Sequence, residues 1–158
     1  LNALFRSQAP HELVDLEIAG FRALLHLLDA ECDALRRVDA DAIEHTAAAK
    51  HAQIAALEAL GREREKSMRE TGFPPSTSGV ALWLRAADPS RENAWRTLID
   101  LARTARDANA RNGRLIARQR QHYDAATQAL LSAAGIPSVY GADGRAKTAA
   151  STRAIAAI

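Results

Sequence analysis

From Trp95 to Ala133 the chain keeps one spacing without a break. Positions 95, 98, 102, 105, 109, 112, 116, 119, 123, 126, 130 and 133 alternate steps of three and four and read Trp, Leu, Ala, Ala, Asn, Asn, Ile, Gln, Tyr, Ala, Leu, Ala. A period of 3.5 residues held over more than five heptads is a coiled-coil seam, so this stretch has to be one long helix with a face for other helices. The helix is predicted over about 90–134, opened by Asp88-Pro89-Ser90 and stopped by Gly135 and Pro137.

A second run precedes it. After Pro10, positions 14, 17, 21, 24, 28, 31, 35 and 38 keep the same alternation, and Leu13, Leu16, Ile18, Leu25 and Leu27 widen the apolar face. This predicts a helix over about 10–37. Asp39 then offers a helix cap, with Asp41 and Glu44 in a first turn that favours negative charge. A tight reversal is expected there, although no Gly or Pro forbids one unbroken helix. The next helix, about 41–70, is alanine-rich, with Ile43, Ile54, Leu57, Leu60 and Met68 as its larger apolar groups. Alanine favours helix but buries little area, so this element depends on close neighbours. Thr71 to Gly79, with paired prolines, ends it, and a short helix is expected over about 80–87.

Three long helices with short connections make an all-α protein: an elongated antiparallel three-helix bundle or coiled coil over residues 1–137. Residues 138–158 are small and polar apart from Val139, Tyr140, Ile155 and Ile158. So little apolar surface does not offset roughly 1 to 2 kcal/mol of backbone entropy per residue, so a flexible tail is expected.

Composition narrows function by exclusion. Cys32 is the single cysteine, so an intramolecular disulfide and a four-thiolate zinc site are excluded, and a buried structural thiol is expected. His11, His26, His45, His51 and His122 form no HExxH motif and none follows a Glu by three residues, so surface histidines without a metal are expected. Gly141 to Thr148, GADGRAKT, lacks the spacing of a phosphate loop and follows no strand. No enzyme activity, cofactor or metal is expected. Apolar runs are short and the start lacks a basic n-region, so neither a membrane span nor a signal peptide is expected, and the chain reads as cytoplasmic. Leu1 is not an initiator methionine, which leaves room for preceding residues.

The net charge of +2 conceals an asymmetry. Residues 1–79 hold 9 Lys and Arg against 13 Asp and Glu, whereas residues 80–158 hold 12 against 6. The expectation is that acidic helices face a basic one within the fold. The alternative is a basic coiled-coil module whose Arg103, Arg106, Arg111, Arg114, Arg118 and Arg120 grip nucleic acid phosphates, but Asp100, Asp107 and Asp124 interrupt that run and no aromatic platform accompanies it. A purely structural coiled-coil oligomer is the other rival. Asn109 and Asn112 on the seam, followed by Gly113, read as a polar layer that fixes register beside a glycine that admits a close neighbour. Trp83 and Trp95 read as packing anchors. Tyr140, an aromatic among small residues beyond a helix end, has little core to serve and reads as a docking residue.

The string NARNGRLIARQRQHYDAATQALL, Asn109 to Leu131, followed by VYGADGR, Val139 to Arg145, resembles the C-terminal signature of the FlgN family of flagellar export chaperones. There an Asn-x-x-Asn-Gly-x-Leu-Ile run on the last long helix leads into a Tyr-Gly-x-x-Gly-Arg turn; Val139 stands where leucine is commoner. The resemblance implies a non-enzymatic cytoplasmic chaperone that holds the C-terminal helical segments of the hook-associated proteins FlgK and FlgL and delivers them to the export gate protein FlhA. It implies no nucleic acid, no membrane insertion and, as one option, a homo-oligomer. By the same resemblance Tyr140, with Gly141, matches the gate-docking tyrosine, and the end of the long helix with the tail matches the client-binding region. Tyr123, Leu130, Leu131, Val139, Ile155 and Ile158 are the side chains such a client would cover.

Overall fold

The computed structural model describes residues 10–135, and all its regular structure there is helical: α1 Pro10–Arg37, α2 Ala40–Glu70, α3 Thr77–Ala87 and α4 Glu92–Ala133, with a 3₁₀ turn Pro89–Arg91 before α4. Two compact units divide the chain, residues 1–115 and 116–158. The first is a helical bundle.

α1 and α2 are separate helices because the chain reverses within two residues. Val38 takes the left-handed conformation, φ 55°, its N–H donates to the carbonyl of Leu35, and the N–H of Asp39 donates to that of Ala34. This pair of bonds closes the end of α1, a role glycine usually has. Asp39 then opens α2, its carboxylate accepting from the N–H of Ala42 at 3.1 Å. At the other end of α2, Gly72 (φ 80°) repeats the motif and the N–H of Phe73 donates to the carbonyl of Met68. Phe73 packs against the core cluster that contains Met68. α3 begins at Thr77, three residues before the expected Val80, because the hydroxyl of Ser76 accepts from the N–H of Gly79 at 3.1 Å. Gly79 is obligatory, since a Cβ there would collide with the carbonyl oxygen of Pro74.

In the first unit, burial follows the two heptad runs except at Val38 and Asn109, which are exposed, Ala108 being buried in place of the latter. On α1, Val14, Glu17, Leu24, Leu28, Glu31 and Leu35 are buried, and on α4 Leu98, Ala105, Ala108 and Asn112 are. One cluster joins Leu13, Val14 and Ile18 of α1 to Met68 of α2, Val80, Trp83 and Leu84 of α3, and Leu98 of α4; Trp95 packs against it. The second joins Leu24 and Leu28 to Leu57, Ala105 and Ala108. The topology is therefore up, down, up: α2 runs antiparallel to α1, α3 fills the turn, and α4 returns parallel to α1.

Two carboxylates inside the seam set that register. Glu17 accepts from Arg64 Nε at 2.8 Å and Glu31 from Lys50 Nζ at 2.6 Å. Each pair has a third partner on α4. The Arg64 guanidinium lies 5.1 Å from the Trp95 ring centroid, and Asn112 Nδ2 donates to Glu31 at 2.9 Å and to the carbonyl of Leu28 at 2.8 Å.

The charge asymmetry is not used as expected. The α1–α2 ion pairs both lie within the acidic half, and across the halves Arg91 reaches Asp15 with two 2.7 Å bonds. The α4 arginines face solvent instead; among the described residues Arg103, Arg106 and Arg120 pair with Asp100, Asp107 and Asp124 of their own helix. The reason is positional: α4 turns alanine, leucine and asparagine inward and leaves its arginines on the outer faces. Cys32 is half-buried rather than buried.

Candidate functional site

Three helices leave a groove in the first unit, a cavity of about 220 Å³ floored by Phe21, Leu24, Leu28 and Ile54. It exists because α4 sets Ala102 and Ala105 opposite those larger side chains. Lys50 at its edge is held by Glu31, so the groove presents no free base or nucleophile. His26, His45, His51 and His122 are exposed, and His11 is half-buried with no hydrogen-bond partner at Nδ1. Among the described residues no group of three or more His, Cys, Asp and Glu side chains is placed to hold a metal ion. No described helix is long and apolar enough to cross a membrane.

The Asn109–Asn112–Gly113 run separates into three environments. Asn112 is only 3% exposed and closes the polar layer with Glu31 and Leu28. Asn109 is exposed, and its Oδ1 accepts from Lys50 Nζ at 3.4 Å. At Gly113 a Cβ would meet nothing within 4 Å, so no neighbouring helix approaches closely there, contrary to expectation. The glycine faces outward, one residue past the seam position that Asn112 fills.

In the second unit the seam spacing of α4 continues, and its larger apolar side chains are exposed. Ile116, Tyr123 and Leu130 recur every seven residues and are 44%, 58% and 72% exposed. Seven residues are close to two helical turns, so the three lie along one line of the helix. Between them stand Gln119, half-buried, and Ala126, exposed, and Ala133, also exposed, follows Leu130. Leu131 is half-buried. The helix that turns leucine and alanine inward in one unit thus exposes its larger apolar groups at equivalent positions in the other. Such a line of large apolar side chains is what an amphipathic helix packs against. Of the expected client-covering residues, Tyr123, Leu130 and Leu131 lie on this helix; Val139, Ile155 and Ile158, and the docking residues Tyr140 and Gly141, lie outside the described residues.

Sequence comparison decides the family. The model of the FlgN family, described as FlgN protein, matches residues 6–148. This chain belongs to the FlgN family. Membership supports a general role as a flagellar export chaperone in flagellum biogenesis and points to hook-associated proteins as what it binds. FlgN is a family of chaperones and not one known for enzymes. No curated protein and no solved structure matches the chain.

The polar partners of the bundle are the part that sequence reasoning missed. Glu17 and Glu31 stand at seam positions of α1, but their basic partners on α2 were not identified. The signal was available, since Lys50 and Arg64 are separated by the same fourteen residues as Glu17 and Glu31.

Proposed function

We propose that this FlgN-family chain is a cytoplasmic type III export chaperone that covers the C-terminal helical segments of FlgK and FlgL and delivers them to FlhA. The observation that carries the reading is the exposed line Ile116–Tyr123–Leu130 on the last helix of a chain from a chaperone family. A client helix with apolar residues at heptad spacing lies along that line. Tyr123, Leu130 and Leu131 form the helical part of the binding surface; Val139, Ile155 and Ile158 extend it, and Tyr140 with Gly141 docks at the gate. Burying each large side chain yields about 1.5 to 3 kcal/mol, from which the cost of ordering the client is subtracted. The balance protects the segment and still allows release.

The test is calorimetry with the C-terminal segments of the hook-associated proteins from the same genome, beside a duplex DNA control. A one-to-one complex with a negative heat-capacity change supports the reading, because that change reports apolar burial. DNA binding that falls steeply with salt, without a protein complex, overturns it in favour of the basic module.

A further inference from the structure

The groove of the first unit takes no part in the client reading, yet its lining has a chemical sense of its own. The floor is apolar, and the polar lining consists of Lys50, Arg106 and Asn109. Among the described residues that line it none is acidic. Glu31, which holds Lys50, is buried, and Asp107, which Arg106 meets at 3.7 Å, is not one of the lining residues. Asn109 adds to the same sense. Its Oδ1 accepts from Lys50 Nζ at 3.4 Å, which leaves the two N–H groups of Nδ2 as what it has to offer. An ammonium, a guanidinium and an amide N–H all donate, so the polar side of the groove suits an acceptor and, with two cations beside it, an anion. The seam residue of the first half of α4 that is exposed, Asn109, is therefore the one that stands at this groove.

The two ends of the groove differ. Lys50 bonds Glu31, three residues beyond Leu28 on α1, so donors stand at the Leu28 end. Phe21 forms the other end, seven residues or about 10 Å away. A straight chain of roughly eight carbons, with bonds of about 1.5 Å in a zigzag, spans that length. Volume agrees, since an apolar cavity of about 150 Å³ holds one benzene ring and this one is about 220 Å³.

We infer that this groove binds a small amphiphile, a carboxylate head on a straight apolar chain of about eight carbons, with the head at Lys50, Arg106 and Asn109 and the chain running along α1 toward Phe21. Lys50 accommodates the head without releasing Glu31, because an ammonium has three donors and two are used. The chain touches α1, α2 and α4 together, so it binds the folded bundle and not the separated helices, and raises the melting temperature. The site lies wholly in the first unit and stands whether or not the client reading does.

The experiment is calorimetry and methyl NMR of the full chain with sodium octanoate below its micelle-forming concentration. A dissociation constant of roughly tenths of a millimolar is expected, with intermolecular NOEs from the terminal methyl to Phe21 and from the methylene beside the carboxylate to Leu28. Across butanoate, hexanoate and octanoate the affinity should rise about two- to fourfold per methylene, and it should stop rising at decanoate. Octylammonium, the same chain with the opposite charge, should bind roughly tenfold more weakly or worse. Asn109→Asp sets a carboxylate at the head position on an exposed side chain, and should abolish binding while the ligand-free protein melts as before. Arg106→Gln should weaken binding about two- to fivefold, as befits an exposed cation. Ala102→Leu fills the groove from α4 and should also remove binding. Octylammonium bound as tightly as octanoate, or octanoate bound unchanged by Asn109→Asp, overturns the head assignment. NOEs to Tyr123 and Leu130 in place of Phe21 put the chain on the exposed line of α4 and overturn the groove. Neither heat nor shift at several millimolar octanoate overturns the site altogether.

Discussion

Glu31 accepts the Lys50 ammonium at 2.6 Å while only 3% of its side chain is exposed, and fourteen residues earlier Glu17 repeats the arrangement with Arg64, fourteen residues later. The two pairs therefore belong to one antiparallel register of α1 and α2. A slip by one heptad would face each carboxylate with a residue seven positions away, bringing Glu17 to Leu57. Buried ion pairs are poor sources of net stability but strong penalties on wrong pairings.

That distinction is measurable at Glu31. Glu31→Ala strands the Lys50 ammonium and removes an acceptor from Asn112, and should cost about 3 to 5 kcal/mol in urea unfolding. Glu31→Leu combined with Lys50→Met should cost much less, and either outcome between neutral and stabilising fits apolar replacement of the pair. A double variant as unstable as Glu31→Ala would place the energy in the ion pair itself.

Val38 is a β-branched residue in the left-handed region at the α1–α2 reversal, and 54% of it is exposed. Left-handed geometry costs an L-residue about 1 to 2 kcal/mol, and little packing is lost when this side chain is removed. Val38→Gly should therefore raise stability by about 0.5 to 1 kcal/mol, after allowance for the greater freedom of glycine in the unfolded chain. A lower denaturation midpoint for the variant would mean that Val38 makes a compensating contact.

These residues also mark how far the sequence could be read. The heptad runs of α1 and α4, the Asp39 cap and the break after Glu70 were legible because each is a local rule of spacing or capping. Val38 was not, since nothing in Val38-Asp39 signals positive φ; the conformation is imposed by the two bonds that close α1 and the cap that opens α2. The misplaced use of charge has the same origin. Counting arginines by halves says how many α4 carries, whereas which face they occupy is fixed by the small residues that pack inward. On the candidate site, Tyr123, Leu130 and Leu131 were legible as seam or near-seam residues, but their exposure was not, because a per-helix spacing marks which positions share a face and not whether anything packs on it.

Gly79 tests the α2–α3 connection. A Cβ at this position meets backbone, the carbonyl of Pro74, which cannot swing away as a side chain would. Gly79→Ala should cost about 1 to 3 kcal/mol by displacing the turn, despite the better helix propensity of alanine. The same change at Gly113, where the space is open, should stabilise by roughly 0.5 to 1 kcal/mol. Paired thermal melts that show both changes with the same sign would contradict the geometry.

Asp88 should respond to acid in a particular direction. Its carboxylate is held below the ordinary value of 3.8, first by the Ser90 hydroxyl at 2.8 Å, then by the Ser90 N–H at 2.9 Å, with Arg91 adding attraction. A depressed carboxyl contributes stability above its unfolded pKa and loses it as pH falls through the folded one. This contribution should begin to fade as pH falls below 3.8 and be gone only once the folded Asp88 is itself protonated, and Ser90→Ala should move the Asp88 titration upward by NMR. No upward movement would remove the hydroxyl as the main cause.

The division of labour between helix and tail is the sharpest functional test. Deleting residues 138–158 removes Val139, Tyr140, Ile155 and Ile158 but none of the buried residues of the bundle, so helical circular dichroism should be largely kept while client binding is lost. Client affinity that survives the deletion would confine binding to Ile116, Tyr123, Leu130 and Leu131 on α4. Tyr140→Ala separates the second role: docking to FlhA should weaken while client affinity, measured by calorimetry, stays within about twofold of the parent, a difference under 0.5 kcal/mol. Loss of both together would make Tyr140 part of the client surface, because a residue serving only the gate touches nothing that a client helix covers.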